Sequence, residues 1–134
     1  MTMRRAEQAG RLGEDMIAAI LTVFGCAFDR QIVVGRTLYG RRWRVDFVLR
    51  NVREYPNGLI LESKSQKRRG SVDEKFPYVL ENIRRGSLPA IVVAHGRGIR
   101  DAADWLRGHC DPQHLVAVFD LEEFVSWLRD MTIE

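Results

Sequence analysis

The sequence is poor in cysteine. Its two thiols, Cys26 and Cys110, stand far apart in the chain, which excludes a disulfide framework and any C-x-x-C redox or zinc motif. Both are expected as free thiols. There is no apolar run near the roughly 20 residues that a membrane helix needs. Met1 to Gly13 lacks the apolar segment of a secretory signal. A soluble, cytoplasmic protein with no membrane partner is therefore expected. Internal repeats, low-complexity tracts and linkers are also missing, so residues 1–134 are read as one domain. Hydrophobic residues make up 46% of the chain, enough to build a core.

Acidic residues are scarce in the centre. Residues 30–69 hold eleven Lys or Arg against three acids, whereas residues 101–134 hold two Arg against eight acids. The central bases are mostly arginine, whose planar fork suits phosphate. A basic central third fits a phosphate-binding face, and it equally fits solvated charge on exposed strands.

Periodicity supplies the elements. Leu12, Met16, Ile17, Ala19, Ile20, Val23 and Phe24 recur at helical spacing over 6–24, and Gly25 ends that helix. A strand over 27–34 and a turn over 35–40 follow. Over 42–52, Trp43, Val45, Phe47 and Leu49 alternate with Arg42, Arg44, Asp46, Val48 and Arg50, which predicts a strand with two distinct faces. Pro56-Asn57-Gly58 marks a reversal, and 58–65 is a third strand. Ser71-Val72-Asp73-Glu74 has capping-box spacing and opens a helix to Arg85, disturbed near Pro77. Strand 89–94, helix 98–108, strand 114–119 and helix 121–131 complete the order. The first three strands should be mostly antiparallel and the last two parallel neighbours, in a two- or three-layer α/β domain around a mixed five-stranded sheet.

Polar residues interrupt two of these strands. Asp46 lies inside the second, and Glu62 and Lys64, two apart, share a face of the third. A hairpin reversing near residues 54 and 55 sets Asp46 across from 62–64. Two adjacent carboxylates repel, and a divalent cation relieves the repulsion. Hard oxygen ligands suit magnesium, and a nearby lysine can orient or deprotonate an attacking water. The same residues would otherwise form a surface ion pair, worth about 0–1 kcal/mol.

Asp46, fifteen intervening residues and then Glu62-Ser63-Lys64 resemble the signature of the PD-(D/E)XK nuclease superfamily. The apolar runs Val45–Leu49 and Leu59–Leu61 agree with it, and Gln66 is similar to the Glu-x-Lys-x-Gln variant of many members. Gly10-Arg11-Leu12-Gly13-Glu14 resembles the Gly-x-x-x-Glu of resolvase-like members. The element order also matches the restriction-endonuclease-like core, and the resemblance covers roughly residues 6–120. Val45 replaces the proline of the family's name, and Ser63 fills a variable position.

The resemblance implies roles. Asp46 and Glu62, with the carbonyl of Ser63, would hold Mg2+, for which Mn2+ would substitute. Lys64 would position the water, Glu14 would add a third acid through a water or a second metal, and Gln66 would orient Lys64 or a phosphate. The implied reaction is endonucleolytic hydrolysis of DNA to 5′-phosphate and 3′-hydroxyl ends, of restriction, homing or junction-resolving type. A non-catalytic DNA-binding module and an RNA-processing nuclease are the alternatives. Lys67, Arg68 and Arg69, directly after the site, would grip the backbone, with Arg36, Arg41, Arg42, Arg44 and Lys75 as further candidates. One site cuts one strand, so a homodimer is expected for double-strand or symmetric cleavage. Trp127 and Ile133, off the stripe of the last helix, and Trp105 offer a surface for it. His109, Cys110 and His114 fit no standard zinc spacing. His95 reads as a turn residue, and Gly96-Arg97-Gly98 is too short for a phosphate loop.

Overall fold

The computed structural model describes residues 2–65, 71–96 and 98–134, with side chains omitted for residues 2–12 and 71–74. The elements run α1 (Thr2–Val23), β1 (Phe28–Arg36), β2 (Arg42–Leu49), β3 (Leu59–Ser65), α2 (Ser71–Arg85), β4 (Ala90–His95), α3 (Arg100–Arg107), β5 (Leu115–Phe119) and α4 (Leu121–Asp130). The sheet order is β1-β2-β3-β4-β5. β1, β2 and β3 form an antiparallel meander, and β3, β4 and β5 are parallel. Each parallel step passes through a helix, as a parallel connection requires. This is the mixed, helix-flanked sheet of a restriction-endonuclease-like core. No helix among the described residues is long and apolar enough to cross a membrane.

Apolar residues cover both faces of the sheet, giving three layers. On one face Val48, Ile60 and Val92 meet Phe76, Leu80 and Ile83 of α2 and Leu106 of α3. On the other, Phe47, Leu61 and Val93 meet Ile17 and Leu21 of α1 and Phe124 and Leu128 of α4. Consecutive residues of β2 and β3 thus serve opposite cores, as the pleat dictates.

Four local expectations are revised. α2 runs unbroken through Pro77, because Phe76, Leu80 and Ile83 anchor it on both sides of the missing N–H. Met16 and Val23 of α1 are exposed, so its buried stripe is narrower and centres on Ile17 and Leu21. Trp127 turns inward against Phe119, Phe124 and Tyr55, and Ile133 packs on the same core while bridging Val52. The fourth concerns β2. Trp43 and Val45 belong to the α2/α3 core, whereas Phe47 and Leu49 belong to the α1/α4 core. The strand therefore changes face at Asp46, where uninterrupted alternation was expected.

The partner strand changes face at the same level. Gln31, opposite Asp46 in register, has φ 50, a left-handed backbone that a residue with a Cβ adopts at a cost. On either side of it Arg30 reaches the α1 face and Ile32 the α2/α3 core. The β1–β2 turn beyond is pinned to α2. Asn82 Oδ1 accepts from Leu38 N at 2.8 Å, and a Cβ on Gly86 would lie 2.8 Å from the Trp43 ring. The expected capping box at Ser71–Glu74 falls on side chains outside the described residues.

Candidate active site

The β2–β3 ladder runs Leu49↔Leu59, Val48↔Ile60, Phe47↔Leu61 and stops. The next pair is Asp46 and Glu62, and here side chains take over from the backbone. Asp46 N donates to Glu62 Oε1 at 2.8 Å, and Ser63 N donates to Asp46 Oδ2 at 2.8 Å. Each carboxyl group caps an amide that the parting strands would leave unpaired, and buried amides left unpaired are costly. The face change of β2 at Asp46 is therefore tied to the chemistry of the two acids.

Lys64 joins them, with Nζ 3.6 Å from Glu62 Oε2. Glu62 is nearly sealed at 6% exposure, whereas the Lys64 side chain keeps 28% and reaches the opening. α1 brings Glu14 to the same place. Gln31 Nε2 donates to Glu14 Oε1 at 2.9 Å, to Glu14 Oε2 at 3.1 Å and to Asp46 Oδ1 at 3.3 Å. Arg30 completes this side, donating to Asp15 at 2.7 Å and to Glu14 at 3.4 Å.

Burial pushes the Asp46 carboxyl up to about 8, aided by the Glu62 charge and by a hydrogen bond with Glu14, and opposed by Ser63 N–H and by Lys64. A carboxyl held neutral against a second acid suits a position that a cation occupies. The donors are hard oxygens, two carboxylates beside the Ser63 backbone, and magnesium binds through one or two carboxylates while keeping waters. The residues thus fit a divalent cation of that kind. Among the described residues no three Asp, Glu, His or Cys side chains form a group that could hold a metal. The fit therefore rests on the Asp46–Glu62 pair, with Glu14 held just outside it.

Of the residues singled out in the sequence, Asp46, Glu62, Ser63, Lys64 and Glu14 converge. Gln66, Lys67, Arg68 and Arg69 lie outside the described residues, as does Arg97. Lys75 is exposed on α2, across the sheet from α1. Arg36, Arg41, Arg42 and Arg44 are exposed on the β1–β2 hairpin. With Trp43 and Val45 turned to the α2/α3 core, Arg42 and Arg44 stand on the face of β2 that carries Asp46.

Two neighbours of the site carried no sequence signal. Gln31 reads as an ordinary strand residue. His95 is the last residue of β4, not a turn residue. Its Nε2 is buried without a hydrogen-bond partner among the described residues, and a Cβ on Gly13 would lie 2.9 Å from its ring. Gly13 thus lets α1 close on β4, one residue before Glu14. A cleft of about 660 Å3 opens at the carboxyl end of β4, lined by Ala94 and His95 and bounded by Arg100, Asp104, Arg107 and Glu123. Arg107 pairs there with both Asp104 and Glu123, so these charges are mutually satisfied.

The chain matches no curated protein and no solved structure at a significant level. A sequence model described as a PD-(D/E)XK nuclease superfamily domain matches residues 5–132. That span takes in Glu14, Asp46, Glu62 and Lys64 together with all five strands, and the chain belongs to the PD-(D/E)XK nuclease superfamily.

Proposed function

We propose that the protein is a Mg2+-dependent endonuclease that hydrolyses phosphodiester bonds of DNA, leaving 5′-phosphate and 3′-hydroxyl ends. One observation carries the reading: the β2–β3 ladder ends at Asp46 and Glu62, whose carboxyl groups converge beside the Lys64 ammonium. A divalent cation at this pair would supply Lewis-acid activation of the phosphate and of water. Asp46, once deprotonated, and Glu62 would hold it, with the Ser63 carbonyl. Lys64 orients the nucleophile and stabilises the charge that develops on the phosphate. Glu14, held at Asp46 by Gln31, adds a third acid at the rim.

A nucleic-acid substrate is favoured by the arginine-lined hairpin. Exposed Arg42 and Arg44 continue the face of Asp46, which gives a cationic track leading to the scissile position. A homodimer is proposed for cutting two strands. With Trp127 drawn into the core, Trp105 at 42% exposure is the tryptophan left for such a contact.

The test incubates the purified protein with plasmid, branched DNA and RNA, with Mg2+ or with EDTA. DNA cleavage that needs Mg2+ and leaves ends a ligase can rejoin is expected. Cleavage of RNA alone would move the substrate, and cleavage unchanged by EDTA would overturn the cation site.

A further inference from the structure

Gln31 is the one residue other than glycine with positive φ among the described residues. A glutamine backbone does not adopt this conformation without cause, and such outliers gather where a side chain must be aimed. Its consequence is visible in the neighbours. In a regular strand Arg30 and Gln31 would point to opposite faces. Here both reach α1: Arg30 binds Asp15 and Glu14, and Gln31 binds Glu14. Across the register, Asp46 and Phe47 likewise share the α1 side. The doubled kink at Gln31 and Asp46 therefore brings a carboxamide between two acids on different elements. Both neighbours are carboxyl groups, so the amide nitrogen, which has two protons to donate, faces them.

We propose that Gln31 is a positioning residue that holds Glu14 beside Asp46, so that the third acid serves the cation site. This rests on the cation-dependent nuclease reading above. Arg30 competes for Glu14, at 3.4 Å, and already binds Asp15 on the turn beside it at 2.7 Å. Without the carboxamide, Glu14 turns towards Arg30 and away from Asp46. Gln31 touches neither substrate nor reacting atoms; it acts through Glu14.

The test measures Mn2+ affinity, by calorimetry or by the spin resonance of the free ion, for the full chain and its variants. Gln31→Gly keeps the left-handed backbone without strain and removes the whole side chain, carboxamide included. Gln31→Asn also tolerates that backbone but is one methylene too short to bridge the acids. Both variants should fold, as shown by circular dichroism, and should bind Mn2+ about 10-fold more weakly, the scale seen when a residue orienting a metal ligand is lost. In a Glu14→Gln background, Gln31→Gly should cost less than about twofold, because the residue through which it acts is gone. Wild-type affinity in both Gln31 variants overturns the proposal while leaving the nuclease reading intact. An equal loss in both backgrounds also overturns it, since Gln31 would then act on the fold or on Asp46. A wild-type chain that binds no Mn2+ overturns the cation site and this assignment with it.

Discussion

A carboxyl group pushed up to about 8 works against the fold that contains it. The unfolded chain releases the Asp46 proton near 3.8, whereas the folded chain keeps it to about 8, so the folded state binds more protons between these values. Stability from this group is therefore fully present below 3.8 and declines as pH rises through 8. Asp46→Asn removes the titration and can still accept from Ser63 N. It should raise the thermal midpoint, more above pH 8 than near pH 4, while lowering cleavage by orders of magnitude. Thermal melts across pH check this; a midpoint gain independent of pH would contradict it. In the proposed cation site the same proton would have to leave before the metal binds. Uptake should release a proton below pH 8, and affinity should climb with pH up to that point, as paired calorimetry in buffers of different ionisation enthalpy can show. Lys64 offers a complementary variant. Lys64→Ala should slow single-turnover cleavage by about 10²–10³-fold with DNA affinity little changed, since its charge matters most where charge develops.

At the scale of elements, α1 lies against β3 and, at Gly13, against His95 of β4, and this seating brings Glu14 to the sheet. Gly13→Ala would set a Cβ 2.9 Å from the His95 ring and should cost about 1–3 kcal/mol. His95→Ala should recover most of that loss, read from denaturant unfolding of the single and double variants; no recovery would mean that other contacts seat the helix. Gly13 was not legible in the sequence, where it fills a variable position of the Gly-x-x-x-Glu pattern, and its reason is an imidazole from a strand much later in the chain. Most elements were legible because their periods are clean, as in the apolar β4 and the stripe of α4. Asp46, Glu62 and Lys64 were legible because a charged residue inside an apolar strand is costly without a purpose. The face change at Asp46 was not. Trp43, Val45, Phe47 and Leu49 alternate without a break, and nothing in a lone glutamine announces a left-handed backbone. α2 continues through Pro77 because the buried anchors Phe76, Leu80 and Ile83 outweigh the local propensity of proline.

For the whole molecule, the basic hairpin and the candidate site lie on one side. The β1–β2 hairpin extends the site with Arg42 and Arg44, and the acidic C-terminal third lies across the sheet at β5 and α4. DNA binding should weaken steeply with salt, with a log–log slope of about −0.9 per phosphate contacted. Arg42→Glu with Arg44→Glu should flatten that slope, and an unchanged slope would move the contact elsewhere. Sedimentation at micromolar concentration should show a dimer that Trp105→Glu dissociates; a strict monomer would leave a nicking enzyme. The central claim is that the Asp46–Glu62 pair and Lys64 cut DNA through a divalent cation. Its most direct test is single-turnover cleavage of end-labelled duplex by wild type and Glu62→Ala, each with Mg2+ and with EDTA, with DNA binding measured alongside. The account predicts cleavage by wild type with Mg2+ only, and binding without cleavage by Glu62→Ala. Cleavage by Glu62→Ala at the wild-type rate would contradict it.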